Sequence, residues 1–282
     1  MSKYRAFIIG MGNIGYKYDQ NNKYVQTHFK SIIRNKKIKL DGVADKNKKN
    51  LKKINNIHPH IKTFTTFEKP IKKLKPQIIV ISTPTKTHFQ IALKLIKLKF
   101  VKCLIIEKPC GENLSQLKKI VNLCRKNKKF LFINYYRLYL APFLKLANKL
   151  KNKKKIFCKV KYNRGFMNNA SHVIAFLSLF IKDEYKIKIT KKNKLFKNEI
   201  QPSLKIDSKN VNIYFENYPS NNISILQCNI ITKEYKLKSN MEFNVMFNKD
   251  KIIIHEEKNY QAKVLQKIIT IMKQKNYEKF VN

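Results

Sequence analysis

The hexapeptide Gly10-Met11-Gly12-Asn13-Ile14-Gly15 follows directly on the apolar run Ala6–Ile9 and restricts the fold of this chain more than any other feature. The chain has 6 glycines in 282 residues, and three of them stand here at G-x-G-x-x-G spacing. Glycines so placed after a strand permit a sharp turn and let backbone N–H groups approach a pyrophosphate at a helix start. An ordinary glycine turn is the bland alternative, and it leaves the concentration of scarce glycines unexplained. The expectation is a dinucleotide-binding βαβ opening, with Gly10, Met11, Gly12, Asn13, Ile14 and Gly15 as cofactor contacts.

The next hundred residues extend that pattern. Short apolar strands are expected at 6–10, 40–44, 77–82, 103–107 and 130–134, with a weak one at 63–67. Between them Phe89, Ala92, Leu93 and Ile96, and then Leu117, Ile120, Val121 and Cys124, recur at helical spacing. Strands alternating with helices predict a Rossmann-type, doubly wound parallel sheet. Beyond Ala141 the texture changes. A helix to Leu150, a strand at 156–162 and an apolar helix at 170–181 precede strand-like runs at 211–215, 223–231, 234–237, 242–247 and 251–255. A last helix carries Tyr260, Val264, Leu265, Ile268, Ile269 and Met272 on one face. Consecutive strands suggest a mainly antiparallel open sheet in a C-terminal α+β domain. The fold class is therefore α/β, with a Rossmann domain over 1–118, its last strand and helix reaching to about 138, and a substrate and oligomerisation domain over 119–282. The Lys/Asn-rich stretches 46–53 and 191–197 read as exposed loops or helix faces.

Asp45 ends the second strand. A carboxylate there would accept hydrogen bonds from the adenosine ribose and repel a 2′-phosphate, which favours NAD(H). Lys46 and Lys48 just beyond could meet a 2′-phosphate and keep NADP(H) open. Asp45 lies thirty residues after Gly15, so 16–27 reads as an inserted loop above the cofactor. The structural alternative for Asp45 is a helix N-cap over 47–54.

The formal net charge of +44 raises the question of a polyanion partner. Only five of the basic residues are arginines, so the forked guanidinium groups that read bases are scarce, and the lysines run from end to end. A solvated lysine surface is the better reading, with no specific nucleic acid as partner. The five cysteines form no C-x-x-C pair, and no metal site is indicated. No secretory signal is visible, and the longest apolar run, 173–181, is half a membrane span. These features predict a cytoplasmic protein.

Ser82-Thr83-Pro84-Thr85-x-x-His88 after one strand and Glu107-Lys108-Pro109 after the next resemble the paired signatures of the glucose-fructose oxidoreductase and inositol dehydrogenase (Gfo/Idh/MocA) family. The similarity continues through Asn134-Tyr135-Tyr136-Arg137 to Ser171-His172. Asp19-Gln20-Asn21 and Thr27-His28 resemble a subgroup associated with surface polysaccharides and nucleotide sugars. The resemblance implies that Lys108 contacts the reacting oxygen, often beside a cis peptide, and that His172 exchanges a proton while hydride moves to or from nicotinamide. It places Thr83, Pro84, His88 and Glu107 with the cofactor site, Glu107 orienting Lys108 rather than reacting, and His28 near the cleft. Asn168, Arg137 and Tyr136 become substrate contacts. Asn168 and Ala175 stand where the family usually has aspartates, and an amide cannot act as a carboxylate base.

Two functions of different class follow. One is an NAD(P)-dependent oxidoreductase acting on CH–OH or C=O of a sugar, nucleotide sugar or polyol bound between the domains, in a homo-oligomer joined through the C-terminal sheet. The other is a noncatalytic dinucleotide-binding regulatory or structural protein of the same fold. Turnover separates them.

Overall fold

The structure, a computed structural model, describes residues 3–181, 184–196, 199–218 and 223–274. It divides into two compact units, Met1–Tyr136 with Lys258–Asn282, and Arg137–Glu257.

Six strands form the first sheet: β1 (Tyr4–Ile9), β2 (Ile38–Ala44), β3 (Thr63–Phe64), β4 (Ile78–Ile81), β5 (Cys103–Ile106) and β6 (Phe130–Ile133). They pair in parallel in the order β3-β2-β1-β4-β5-β6. The order reverses between β1 and β4, so a crevice opens at the carboxyl ends of those two strands. β4 and β5 are buried at every position, as strands covered on both faces must be. Their side chains alternate: Phe7, Ile9, Ile79, Ile81, Leu104 and Ile106 share a core with Ile91, Ala92, Leu95 and Ile96, and with Ile120 and Cys124. Those partners lie on α4 (Thr85–Ile96) and α5 (Leu114–Lys126); α1 (His28–Ile33), α2 (Lys48–Ile57) and α3 (Glu68–Leu74) are the other helices between strands. Each isoleucine so enclosed contributes roughly 1.5–3 kcal/mol.

In the second unit, α6 (Ala141–Leu150), β7 (Ile156–Tyr162) and α7 (Ser171–Leu177) precede a run of strands: β8 (Tyr185–Phe196), β9 (Glu199–Ser208), β10 (Val211–Asn217), β11 (Leu226–Ile231), β12 (Lys236–Ser239), β13 (Met246–Asn248) and β14 (Lys251–Ile254). The eight strands lie in the order β14-β13-β12-β11-β7-β10-β9-β8. Every pairing is antiparallel except β7 with β10. α7 is entered through a π-helical turn, Phe166–Ala170, that starts at Gly165 with φ 93°.

Two sequence expectations change. The boundary falls after Tyr136, and α8 (Tyr260–Lys273) belongs to the first unit, where it packs on α1. Its apolar stripe of Val264, Leu265, Ile268 and Ile269 is buried there, which no local pattern could assign to a sheet over a hundred residues upstream. The stretch 191–196 continues strand β8 rather than forming a loop, while Lys197 lies outside the described residues. β8 occupies a sheet edge, where lysines are favoured because they discourage further strand pairing. The segment 46–53, read as an exposed loop or helix face, contains the start of α2 with a largely exposed face, capped by the Asn47 side chain accepting from Lys49 N. Among the described residues no helix is long and apolar enough to cross a membrane.

Candidate cofactor and active site

The glycine loop occupies the crevice between β1 and β4. Gly10 has φ 96°, and a Cβ there would lie 2.6 Å from the Ser82 main chain. A Cβ on Gly15 would lie 2.2 Å from the Gly10 carbonyl oxygen. The Ser82 hydroxyl donates to that same carbonyl at 2.8 Å, so Gly10, Gly15 and Ser82 form one close-packed knot. Gly12 differs: its φ is −75° and nothing lies within 4 Å of an added Cβ. The first helical bonds run from Tyr16 and Lys17 N to Gly12 O, leaving the preceding amides at the helix start. This cradle fits a pyrophosphate approaching the Gly12 backbone. The helix is a single π-turn, Asn13–Lys17, because the inserted loop interrupts it before α1. Asp19 holds that loop together, its carboxylate accepting from Gln26 N, Thr27 N and the Thr27 hydroxyl at 2.7–2.9 Å.

Met11 does not meet the expectation of a cofactor contact. Its side chain is fully buried and its N–H donates to Asp45 Oδ2 at 2.7 Å. Asp45 also accepts from Asn47 N at 2.7 Å and from Asn50 Nδ2 at 3.0 Å. It is not the cap of α2; it fastens the glycine loop to that helix and retains acceptor capacity for a ribose. Asp45→Ala is therefore expected to weaken NAD binding and also to lower fold stability by about 1–3 kcal/mol, because buried donors lose their acceptor. Calorimetric titration with NAD, beside thermal unfolding without it, checks both effects.

At the next strand ends the two signature segments are joined by His88. It is 1% exposed, with Nδ1 2.9 Å from the Pro109 carbonyl oxygen and Nε2 2.7 Å from that of Thr83. It ties the ends of β4 and β5 together from beneath and does not line a cleft. His28, also 1% exposed, is likewise interior, with Nε2 2.7 Å from Glu107 Oε1. Thr83 and Thr87 share a 2.7 Å hydroxyl hydrogen bond, and Pro84 precedes the first turn of α4. The Lys108–Pro109 peptide is cis, and Lys108 is half-buried at the carboxyl end of β5. Burial pushes the Glu107 carboxyl up, but its interactions with His28, Asn134 and Lys108 outweigh this and hold it below the ordinary glutamate range. Tyr136 lies at the end of this unit, its ring 4.5 Å from that of Tyr260.

In the second unit, His172 is half-buried in the first turn of α7, and Asn168 is exposed in the π-turn four residues earlier. Arg137 is 4% exposed. Its Nε and Nη2 donate to the Phe243 and Glu242 carbonyls, both at 2.7 Å, and its guanidinium lies 5.0 Å from the Phe243 ring. It anchors the 242–243 turn, a structural role that displaces the expected substrate contact. Sequence reasoning named Ser82 and Asn134 only as motif residues without a role, and it missed Gln261 as part of the first unit's polar framework. Gln261 lies 233 residues from His28, its partner, so no spacing pattern could reveal it.

Residues 4–135 match the model of an oxidoreductase family with an NAD-binding Rossmann fold. A rhizopine catabolism protein of Rhizobium meliloti is 22% identical over 151 residues, 54% of this chain and 43% of that protein. The match thus spans less than half the length of that curated relative. Among solved structures, a dehydrogenase from Clostridium difficile is 19% identical with a TM-score of 0.74, over 96% of this chain and 91% of that one. The WlbA dehydrogenase from Bordetella pertussis, in complex with NADH and UDP-GlcNAcA, is 14% identical with a TM-score of 0.76, over 96% and 88%. A 3-ketoreductase from Actinomadura kijaniata, in complex with NADP, is 10% identical with a TM-score of 0.78, over 99% and 93%. At these identities the structural likeness is one of fold. The Rossmann sheet, the open Gly12 cradle and the Glu107-Lys108-Pro109 strand end all lie within residues 4–135, the part of this chain that matches the Gfo/Idh/MocA oxidoreductase family.

Proposed function

We propose that the protein is an NAD(H)-dependent oxidoreductase acting on a carbinol or carbonyl carbon of a sugar-like substrate, with nucleotide sugars foremost. The observation that carries this reading is Lys108 at the carboxyl end of β5, in the same unit as a glycine loop open only at Gly12. NAD(H), when bound, exchanges a hydride with the substrate carbon. Gly12 and the adjoining amides hold its pyrophosphate, and Asp45 accepts from its ribose, with Lys46 and Lys48 leaving NADP(H) as the lesser option. Lys108 donates a hydrogen bond to the substrate oxygen and exchanges its proton, and His172 completes the proton path. Asn168 and Tyr136 serve as substrate hydrogen-bonding groups. The WlbA complex with UDP-GlcNAcA and the sugar-associated loop signature support the substrate class.

A panel of sugars and nucleotide sugars, assayed with NAD and with NADH by nicotinamide absorbance, tests the proposal. Turnover of at least one member is the expected result. Asn168 and Ala175 favour the second reading, a noncatalytic dinucleotide-binding protein, and NADH binding without turnover on the whole panel would select it. The proposal includes a cytoplasmic location and self-association through the sheet of the second unit, where Phe157, Ile187, Ile189, Ile231 and Ile252 are exposed. Polyanions meet only a sequence-blind lysine surface.

A further inference from the structure

Tyr260 opens α8, and the residues on either side of it are fastened at the carboxyl end of the first sheet. Asn259 Oδ1 accepts from Val25 N at 2.9 Å, and Gln261 N donates to Val25 O at 3.3 Å. The Gln261 side chain belongs to a ring of four buried polar groups. Its Oε1 accepts from Asn134 Nδ2 at 3.2 Å and its Nε2 lies 2.9 Å from His28 Nδ1. Glu107 Oε1 closes the ring, 2.6 Å from Asn134 Nδ2 and 2.7 Å from His28 Nε2. These bonds set the start of α8 against the ends of β5 and β6.

The apolar seam of α8 accounts for Val264, Leu265, Ile268 and Ile269, none more than 2% exposed, but not for Tyr260, which is half-buried. Its ring lies 4.5 Å from that of Tyr136, also half-buried, with 32° between the planes. Its hydroxyl has no hydrogen-bond partner among the described residues. A residue that served only to fill the seam would do better as phenylalanine, because a hydroxyl drawn out of water without a partner costs free energy. Burial, then Tyr136 and then Glu107 hold that hydroxyl well above the ordinary tyrosine range, so it stays an O–H that can both donate and accept.

The strand order sets what meets this hydroxyl. Along β3-β2-β1-β4-β5-β6, Asp45 follows β2, the glycine loop follows β1, Thr83 follows β4 and Lys108 follows β5. Tyr136 comes shortly after β6, which runs in register with β5: Ile133 pairs with Ile106, and Asn134 N donates to Ile106 O at 2.9 Å. Adjacent strands are about 4.8 Å apart. In the proposed function the dinucleotide runs from Asp45 across Gly12, and the reacting oxygen lies at Lys108. The tyrosine pair is the next station on the same edge, so it meets the part of the substrate beyond that oxygen. Two aromatic rings with one unused O–H match a sugar ring, which offers a C–H face for packing and hydroxyls for hydrogen bonding.

We infer that Tyr260 is a substrate-binding residue: paired with Tyr136, its ring packs on the sugar ring that carries the reacting carbon, and its hydroxyl hydrogen-bonds to a hydroxyl of that ring. The inference rests on the proposed substrate class and adds to it a residue that no motif marks.

Calorimetric titration of the NADH-loaded protein tests this without turnover, with UDP-GlcNAcA, the other members of the sugar panel and UDP alone as probes. Tyr260→Phe keeps the ring pair and removes one hydroxyl. It is expected to lower affinity for the bound sugar about 3-fold to 10-fold, the scale of one neutral hydrogen bond, and to leave affinity for UDP alone at the wild-type value. Tyr260→Leu removes the ring as well and should lower affinity for the sugar about 10-fold to 100-fold. With a turned-over substrate the same factors should appear in KM, with kcat changed far less. NADH affinity by fluorescence titration and the thermal midpoint control for folding, and Tyr260→Phe should match wild type in both. Native sugar affinity in both variants, or an equal loss for UDP alone, overturns the inference and leaves the proposed function standing. If no panel member binds the NADH-loaded wild type, the substrate class falls and this inference with it. Full turnover in Lys108→Met would instead overturn the catalytic reading, with the binding losses at Tyr260 intact.

Discussion

In a Gly12→Val variant the affinity for NAD(H) is expected to fall by roughly 100-fold or more, about 3 kcal/mol, with the thermal midpoint unchanged in the absence of cofactor. The expectation follows from geometry. At φ −75° and ψ −151° the backbone of Gly12 is open to any residue, and an added Cβ meets nothing within 4 Å, so the fold has no reason to object. The isopropyl group would fill the space that a pyrophosphate needs to reach the Gly12 amide. Gly15→Ala supplies the contrast, because its Cβ would sit 2.2 Å from the Gly10 carbonyl, a main-chain atom held by Ser82. That variant should lose about 1–3 kcal/mol of stability or more before any question of binding arises. Calorimetric titration with NADH and thermal unfolding separate the two. A folded Gly12→Val protein with native NADH affinity would refute the cofactor site.

Lys108→Met is expected to reduce turnover by roughly 10²–10⁴-fold, the span for a positioned acid or base, while NADH affinity changes little. Methionine keeps the length and apolar stem of the lysine and removes only the ammonium, so the end of β5 should be preserved. His172→Ala should lower the rate over a similar range, and the two losses should fall short of additive if both groups serve one proton transfer. Asn168→Asp adds a sharper probe: a carboxylate restored near His172 should maintain or raise activity and alter its pH dependence. The assay is steady-state absorbance with C4-deuterated NADH and the substrate found in the screen. Native turnover in Lys108→Met would remove that residue from the mechanism.

The elements that sequence reading located best share one property: their signals are local. The apolar runs of β1, β4 and β5, the spacing of Ile91, Ala92, Leu95 and Ile96 in α4, and the glycine spacing each depend on residues within a few positions of one another. β8 escaped because its lysine-rich composition, suited to an exposed sheet edge, mimics that of a loop. Among the candidate site residues, Gly12 and Lys108 are singled out by their neighbours in the chain. Met11, His88 and Arg137 were drawn to the site by the same proximity, yet burial commits Met11 to the core and the two polar side chains to main-chain carbonyls.

The sequence by itself determined the parallel sheet, the glycine turn and the lysine at a strand end, because strand period, conformational freedom and motif spacing are properties of short segments. Only the tertiary structure decided that Asp45 braces the glycine loop, that α8 returns to the first unit, and that His28, Glu107, Asn134 and Gln261 close one ring. Hydrogen bonds between side chains 27 to 233 residues apart leave no periodic trace in the chain. They exist only once burial has stripped those groups of water and left one another as the partners available.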